Sequence, residues 1–130
     1  MESILKFKEY IVEDVIFKNN DKFDNSQAVK LDLKINEETK KENNILKVDL
    51  NVTVFEEAEK NNYPFYIKLR VRGIFQIEGN DEDVGFFKPN AIAILFPYVR
   101  AIISTYTGIA NINPLILPAI NVNKLLENNK

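Results

Sequence analysis

Four stretches of this chain alternate apolar and polar residues with period two, and that rhythm restricts the fold more than any other feature. Successive strand side chains point to opposite faces, so strict alternation gives one covered face and one wet face. The cleanest stretches set Leu46, Val48, Leu50, Val52 and Val54 against Lys47, Asp49, Asn51 and Thr53, and Phe65, Ile67, Leu69, Val71, Phe75 and Ile77 against Tyr66, Lys68, Arg70 and Arg72. A third sets Val29, Leu31, Leu33 and Ile35 against Lys30, Asp32 and Lys34. The first stretch places Leu5, Phe7, Ile11, Val15 and Phe17 on one face, but Glu9 and Glu13 interrupt it, an irregularity that points to a bulge. Half-covered strands of this kind build an antiparallel sheet. Gly73 falls on the covered face, where a missing side chain lets something approach the backbone closely.

Asparagine pairs punctuate the strands. Asn19-Asn20, Asn43-Asn44 and Asn61-Asn62 sit between alternating stretches, where Asn tolerates turn conformations. The segment from Asn90 to Thr107 reads as the main helix, with Asn90 as N-cap and Gly108 just past its end. Pro97 inside it predicts a kink or a later start near Ile94. A short second helix is expected over 122–128. Strands first and helices last give an α+β fold, a four-stranded antiparallel sheet with two helices on one face.

At 130 residues the chain is expected to form one domain, 1–130. It lacks Cys and His, which excludes disulfides, thiol nucleophiles, histidine bases and the usual zinc sites. Glu37-Glu38, Glu56-Glu57 with Glu59, and Asp81-Glu82-Asp83 fall in expected turns and lack the cleft that acid–base chemistry needs. The four glycines match no nucleotide fingerprint. No enzyme activity, cofactor or metal is therefore expected. The apolar run Ala91 to Val99 is broken by Pro97 and followed by Arg100, and the N-terminus has no continuous apolar signal region, so a cytoplasmic protein without a membrane partner is expected. What stands out is surplus apolar surface in the helix and in the loop Asn113 to Asn121, more than one small subunit can cover. Ile94, Phe96, Val99, Ile102 and Ile103 wrap more than one helical stripe, which predicts a subunit interface.

The strings Ile94-Leu-Phe-Pro-Tyr-Val-Arg100 and Pro114-Leu-Ile-Leu-Pro-Ala-Ile-Asn121, with Gly73-Ile-Phe75 and Val29-Lys-Leu-Asp-Leu33, resemble the SecB family of protein-export chaperones. The resemblance implies a four-stranded sheet, two helices and a homotetramer built as a dimer of dimers. It implies ATP-independent holding of unfolded or precursor polypeptides in a groove between the sheet, the loop after the first strand and the loop after the main helix. By that resemblance Phe23, Gly73, Phe75, Ile112, Leu115 and Leu117 line the groove. Phe86 and Phe87 join them on position alone.

The chain departs from the family in a shorter first crossover, a second helix that stops early and the lack of an acidic tail in this sequence. The family docks on the motor SecA through acids on the wet face. Among the matching positions Asp14 is acidic, but Lys18 and Lys68 replace acids and Tyr66 replaces an aliphatic residue. Lys6, Lys8, Lys18, Lys30, Lys34, Lys47, Lys68, Arg70 and Arg72 against Asp14, Asp32, Asp49 and Glu78 predict a basic face with five surplus cations, which disfavours a basic partner. The leading expectation is a SecB-like holdase; the rival is a chaperone dedicated to one partner, such as an antitoxin, without SecA docking. Single-stranded RNA on the basic face, stacking on Tyr66 and Phe55, is the weakest reading.

Overall fold

A computed structural model describes residues 4–79 and 84–110. In order the elements are β1 (Ile4–Asn19), β2 (Leu33–Glu42), β3 (Ile45–Val54), the single-turn helix α1 (Ala58–Asn61), β4 (Phe65–Glu78) and α2 (Val84–Ile109). The four strands form one antiparallel sheet in the order β1-β4-β3-β2. α2 packs on one face, here called inner. The short helix expected over 122–128 lies outside the described residues, and the second helical segment among them is α1.

The two central strands follow their alternation residue by residue. Leu46, Val48, Leu50, Val52 and Val54 of β3 are fully buried, as are Val71 and Phe75 of β4. They meet a stripe of α2 made by Ala91, Ile92, Leu95, Phe96, Val99 and Ile103. Near-fourfold spacing aligns these residues on one helical face. Burying each large side chain contributes roughly 1.5–3 kcal/mol, so this layer dominates stability. Gly73 admits Leu95: a Cβ there would stand 3.1 Å from a Leu95 methyl and 2.8 Å from the Phe75 ring.

β1 carries two irregularities. Phe7 opposes Phe75 while Glu9 opposes Ile74, leaving Lys8 extra; Val12 opposes Val71 while Asp14 opposes Arg70, leaving Glu13 extra. Each bulge inverts the facing of the residues beyond it. Opposed residues share a face, so Tyr10 and Val12 turn inward and Ile11 turns outward, opposite Arg72. The expectation that Ile11 lies on the covered face is thereby corrected; Leu5, Phe7, Val15 and Phe17 do lie there, packed against the core.

The second strand also shifts. It starts at Leu33 rather than Val29 and runs through Glu37-Glu38, which were expected in a turn. The turn is Asn43-Asn44, with Asn43 at φ 56°. A two-residue hairpin fixes the register of both arms, so the ten residues of β3 draw the polar run 33–42 into the ladder. Chain 20–32 is tied down by asparagine side chains. Asn20 Nδ2 donates to the carbonyls of Tyr63 (2.8 Å) and Ala58 (3.3 Å), and Asn62 brackets the backbone of Asp24.

α2 begins six residues before the expected cap. Asn90 is therefore inside the helix, and Gly108 continues it to Ile109 instead of ending it. Pro97 is exposed, so the carbonyl it leaves unbonded faces water rather than the sheet. By length and composition Phe87–Ile109 could cross a membrane, contrary to the sequence reading, but here the sheet covers one face of it.

Candidate functional site

The residues expected to line a groove separate into three groups. Phe75 and Phe87 are 0% and 2% exposed, and Gly73 is covered by Leu95; all three belong to the protomer core, Gly73 and Phe75 beneath α2 and Phe87 as part of it. Phe23 is half-buried in the chain after β1, its N–H donating to the Asn20 carbonyl. The side chain of Phe86, and Ile112, Leu115 and Leu117, lie outside the described residues. The expected interface set divides as well. Phe96, Val99 and Ile103 are buried on their own sheet, whereas Ile94 is 36% exposed and Ile102 half-buried.

The structure brings together other apolar surface. Leu31 is exposed, and Val29, Leu33 and Ile35 are only half-buried, packed at the margin of the core. α2 lies mainly over β1, β4 and β3, and Lys88 Nζ of α2 pairs with Glu37 Oε1 of β2 at 3.3 Å. Thr39 Oγ1 donates to the other Glu37 oxygen at 2.7 Å. The inner face of β2 is thus an apolar margin with a carboxylate set into it.

At the opposite side, Tyr98 of α2 stacks on Tyr10 with centroids 4.4 Å apart and leans on Phe7 at 5.5 Å. Tyr10, Tyr98, Ala101, Ile102, Thr105 and Tyr106 enclose a notch of about 240 Å³. Sequence reading missed Tyr10 and Val12; the misplaced acids Glu9 and Glu13 were the signal, since a bulge at each end turns the segment between them over.

The outer face differs from expectation. Asp14, Lys18, Tyr66 and Lys68 do share it, with Lys18 opposite Tyr66 and Ile16 opposite Lys68. But the true registers place Lys6, Lys18, Lys34, Lys40, Lys47, Lys68, Arg70 and Arg72 there with Glu9, Glu13, Asp14, Glu38, Glu42, Asp49 and Glu78, so the face is nearly neutral rather than basic. At its centre Arg72 grips Asp49 with two hydrogen bonds of 2.7 and 3.1 Å, and Arg70 adds one of 3.2 Å. Burial alone would raise the Asp49 pKa, but the two guanidinium groups outweigh it and hold the carboxyl below its ordinary value. At one end of the face Lys18, Tyr66, Glu56, Glu57 and Glu59 border a mixed-charge cleft of about 600 Å³. Phe55 is 5% exposed and set edge-on to Phe65 at 5.0 Å, so it offers no stacking surface for a base.

No group of three or more acids able to hold a metal occurs among the described residues. Among the described residues the arrangement presents apolar margins and open sheet edges, elements suited to extended polypeptide.

A family model described as preprotein translocase subunit SecB matches residues 4–130. An uncharacterized protein of Methanocaldococcus jannaschii is 38% identical over 129 residues, which cover 95% of this chain and 83% of that protein. Among solved structures, the Mycobacterium tuberculosis SecB-like chaperone in complex with a ChAD peptide from the HigA1 antitoxin has a TM-score of 0.71 at 12% identity, covering 89% of this chain and 90% of that one. A protein of unknown function from Streptococcus agalactiae has a TM-score of 0.56 at 11% identity, covering 92% of this chain and 100% of that one.

Proposed function

Because the chain belongs to the SecB family, we propose that it is a cytoplasmic, ATP-independent holdase that binds unfolded or precursor polypeptides as a homo-oligomer. The observation that carries the reading is the half-open apolar margin of Val29, Leu31, Leu33 and Ile35, with Phe23 half-buried in the same connecting segment, beside a sheet whose core is otherwise closed. Client side chains enter there, each removed from water at about 25 cal/mol per Å². Phe86, Ile112, Leu115 and Leu117 are proposed as further client contacts, on sequence resemblance and position alone. Several such margins on one oligomer raise avidity without demanding a defined client sequence.

The test is suppression of aggregation of a destabilised protein without nucleotide. Suppression at stoichiometric amounts is expected, and Leu31→Asp with Phe23→Ser should abolish most of it. No suppression at several-fold excess overturns the holdase reading.

A second reading, a chaperone dedicated to one partner, gains support from the solved relative that carries an antitoxin peptide. Co-purification separates the two: a mixture of bound chains marks the general holdase, one stoichiometric chain the dedicated form. Docking on SecA is weakened at the Tyr66 end of the outer face, where Lys18 and Lys68 stand in place of the family's acids.

A further inference from the structure

The inner face of β2 changes character partway along. Leu33 and Ile35, opposite Val54 and Val52, continue the apolar margin. Glu37, Thr39 and Lys41 follow at the same two-residue step, opposite Leu50, Val48 and Leu46. Across from them β3 stays apolar and fully buried to its end, so the sheet itself does not call for the change. The Glu37 carboxylate is neither loose nor exposed. Its side chain is 10% exposed, Lys88 Nζ of α2 stands 3.3 Å from Oε1, and Thr39 Oγ1 donates to Oε2 at 2.7 Å.

A long charged side chain left free lays its stem on apolar surface and carries its charge out to water. Glu37 is held at both oxygens, by groups from β2 and α2, so its charge stays over the sheet. A client held in extended form along this margin points every second side chain inward. Side chains that meet on one face must suit each other. Beside Leu33 and Ile35 an apolar client residue gains by leaving water. Beside Glu37 it gains nothing, because it strips the remaining water from a charged pair and finds no apolar partner there.

We propose that Glu37, positioned by Thr39 and Lys88, is a polar stop: it ends the client margin at Ile35 and makes this protein select extended segments whose alternating apolar run is no longer than that margin and then gives way to polar residues. The inference rests on the holdase reading above and sets the pattern of client that the same margin takes.

Two labelled model peptides test it, one with about four leucines alternating with threonine and one with about six, both flanked by serine. Fluorescence anisotropy on the unaltered protein should give dissociation constants within about threefold of each other, the difference that extra binding registers alone supply. Glu37→Leu with Thr39→Val and Lys88→Met carries the apolar face on past Ile35, and there the longer peptide should bind about tenfold or more tightly than the shorter. The ratio of the two affinities sets aside any general weakening from lost stability, which thermal unfolding follows separately. Should the triple variant unfold, Thr39→Val alone, which frees Oε2, should raise the ratio by about threefold, and Thr39→Ser, which keeps the hydroxyl, should restore it. A longer peptide that already binds the unaltered protein tenfold more tightly, or a ratio that these variants fail to raise, overturns the polar stop. If neither peptide binds the unaltered protein, the holdase reading itself falls, and the stop with it.

Discussion

At one margin of the sheet β2 offers ten residues, six of them Lys or Glu, with Glu37 and Lys41 placed on the inner face opposite Leu50 and Leu46. At the other margin β1 offers sixteen residues with isoleucine outside and Tyr10 and Val12 inside. Among the described residues both are edge strands with one side open, and both have to be kept from indiscriminate pairing. β2 does so by charge, including charges aimed inward, where any stacked or added strand would have to desolvate them. β1 keeps its apolar surface and breaks its rhythm instead. Charges on β2 must be desolvated by any added strand, whereas a break in phase excludes only strands that lack the matching break. The contrast sets a charged edge against an apolar one.

The largest effect should come from charging the open edge. Ile11→Lys with Val12→Lys places cations where apolar contact is expected and should weaken self-association on the order of 100-fold. The matched control, Asn36→Lys with Glu38→Lys on β2, should leave the mass in solution unchanged. Equal losses at both edges would erase the contrast.

Gly73→Val tests whether the β1 side depends on the seat of α2. With Leu95 and Phe75 already in contact distance of a Cβ, overpacking should cost about 1–3 kcal/mol in denaturant unfolding. Because Tyr10 lies opposite Gly73 and stacks on Tyr98 of the same helix, association should fall with stability.

Stripping β2 of its inward polarity works the other way. Glu37→Leu with Thr39→Val removes the acceptor for Lys88 and should cost about 1–2 kcal/mol. The variant should also aggregate on mild heating in a concentration-dependent manner, read by turbidity. A soluble, unaltered variant would deny those residues a protective role.

The smallest effect concerns pH. The Asp49 carboxyl is held below its ordinary value in the folded chain. The folded state therefore binds its proton less readily than the unfolded state, so the stabilisation is complete above the unfolded value, near 3.8, and is lost as pH falls through the lower folded value. Stability measured between pH 5 and pH 2 should drop, and Asp49→Asn should flatten that part of the profile by under about 1 kcal/mol. The neighbouring edges should show the same acid sensitivity with and without the substitution.

The central strands were fully legible. From Leu46 to Val54 and from Phe65 to Ile77 each apolar residue is where its alternation puts it, because a strand flanked on both sides has its register fixed by two neighbours. Legibility failed toward the margins. The polar run 36–42 carried no strand signal of its own and became strand through pairing with β3. Asn90 and Gly108 looked like helix ends because cap residues do, but packing of α2 on the sheet extended the helix past both. The site was less legible than the fold: Phe75, Phe87, Phe96 and Val99 read as surplus apolar surface until α2 was seen to cover or supply them.

Sequence alone determined the sheet, the dominant helix, the asparagine turns and the family, because period, turn chemistry and a rare string of residues are local and survive any arrangement of the parts. Only tertiary structure decided which apolar residues are core and which remain open, that Tyr10 and Val12 face inward while Ile11 faces out, and that the outer face is nearly neutral. Those properties depend on how strands register against one another, and a one-residue bulge changes the facing of everything beyond it without altering the composition at all.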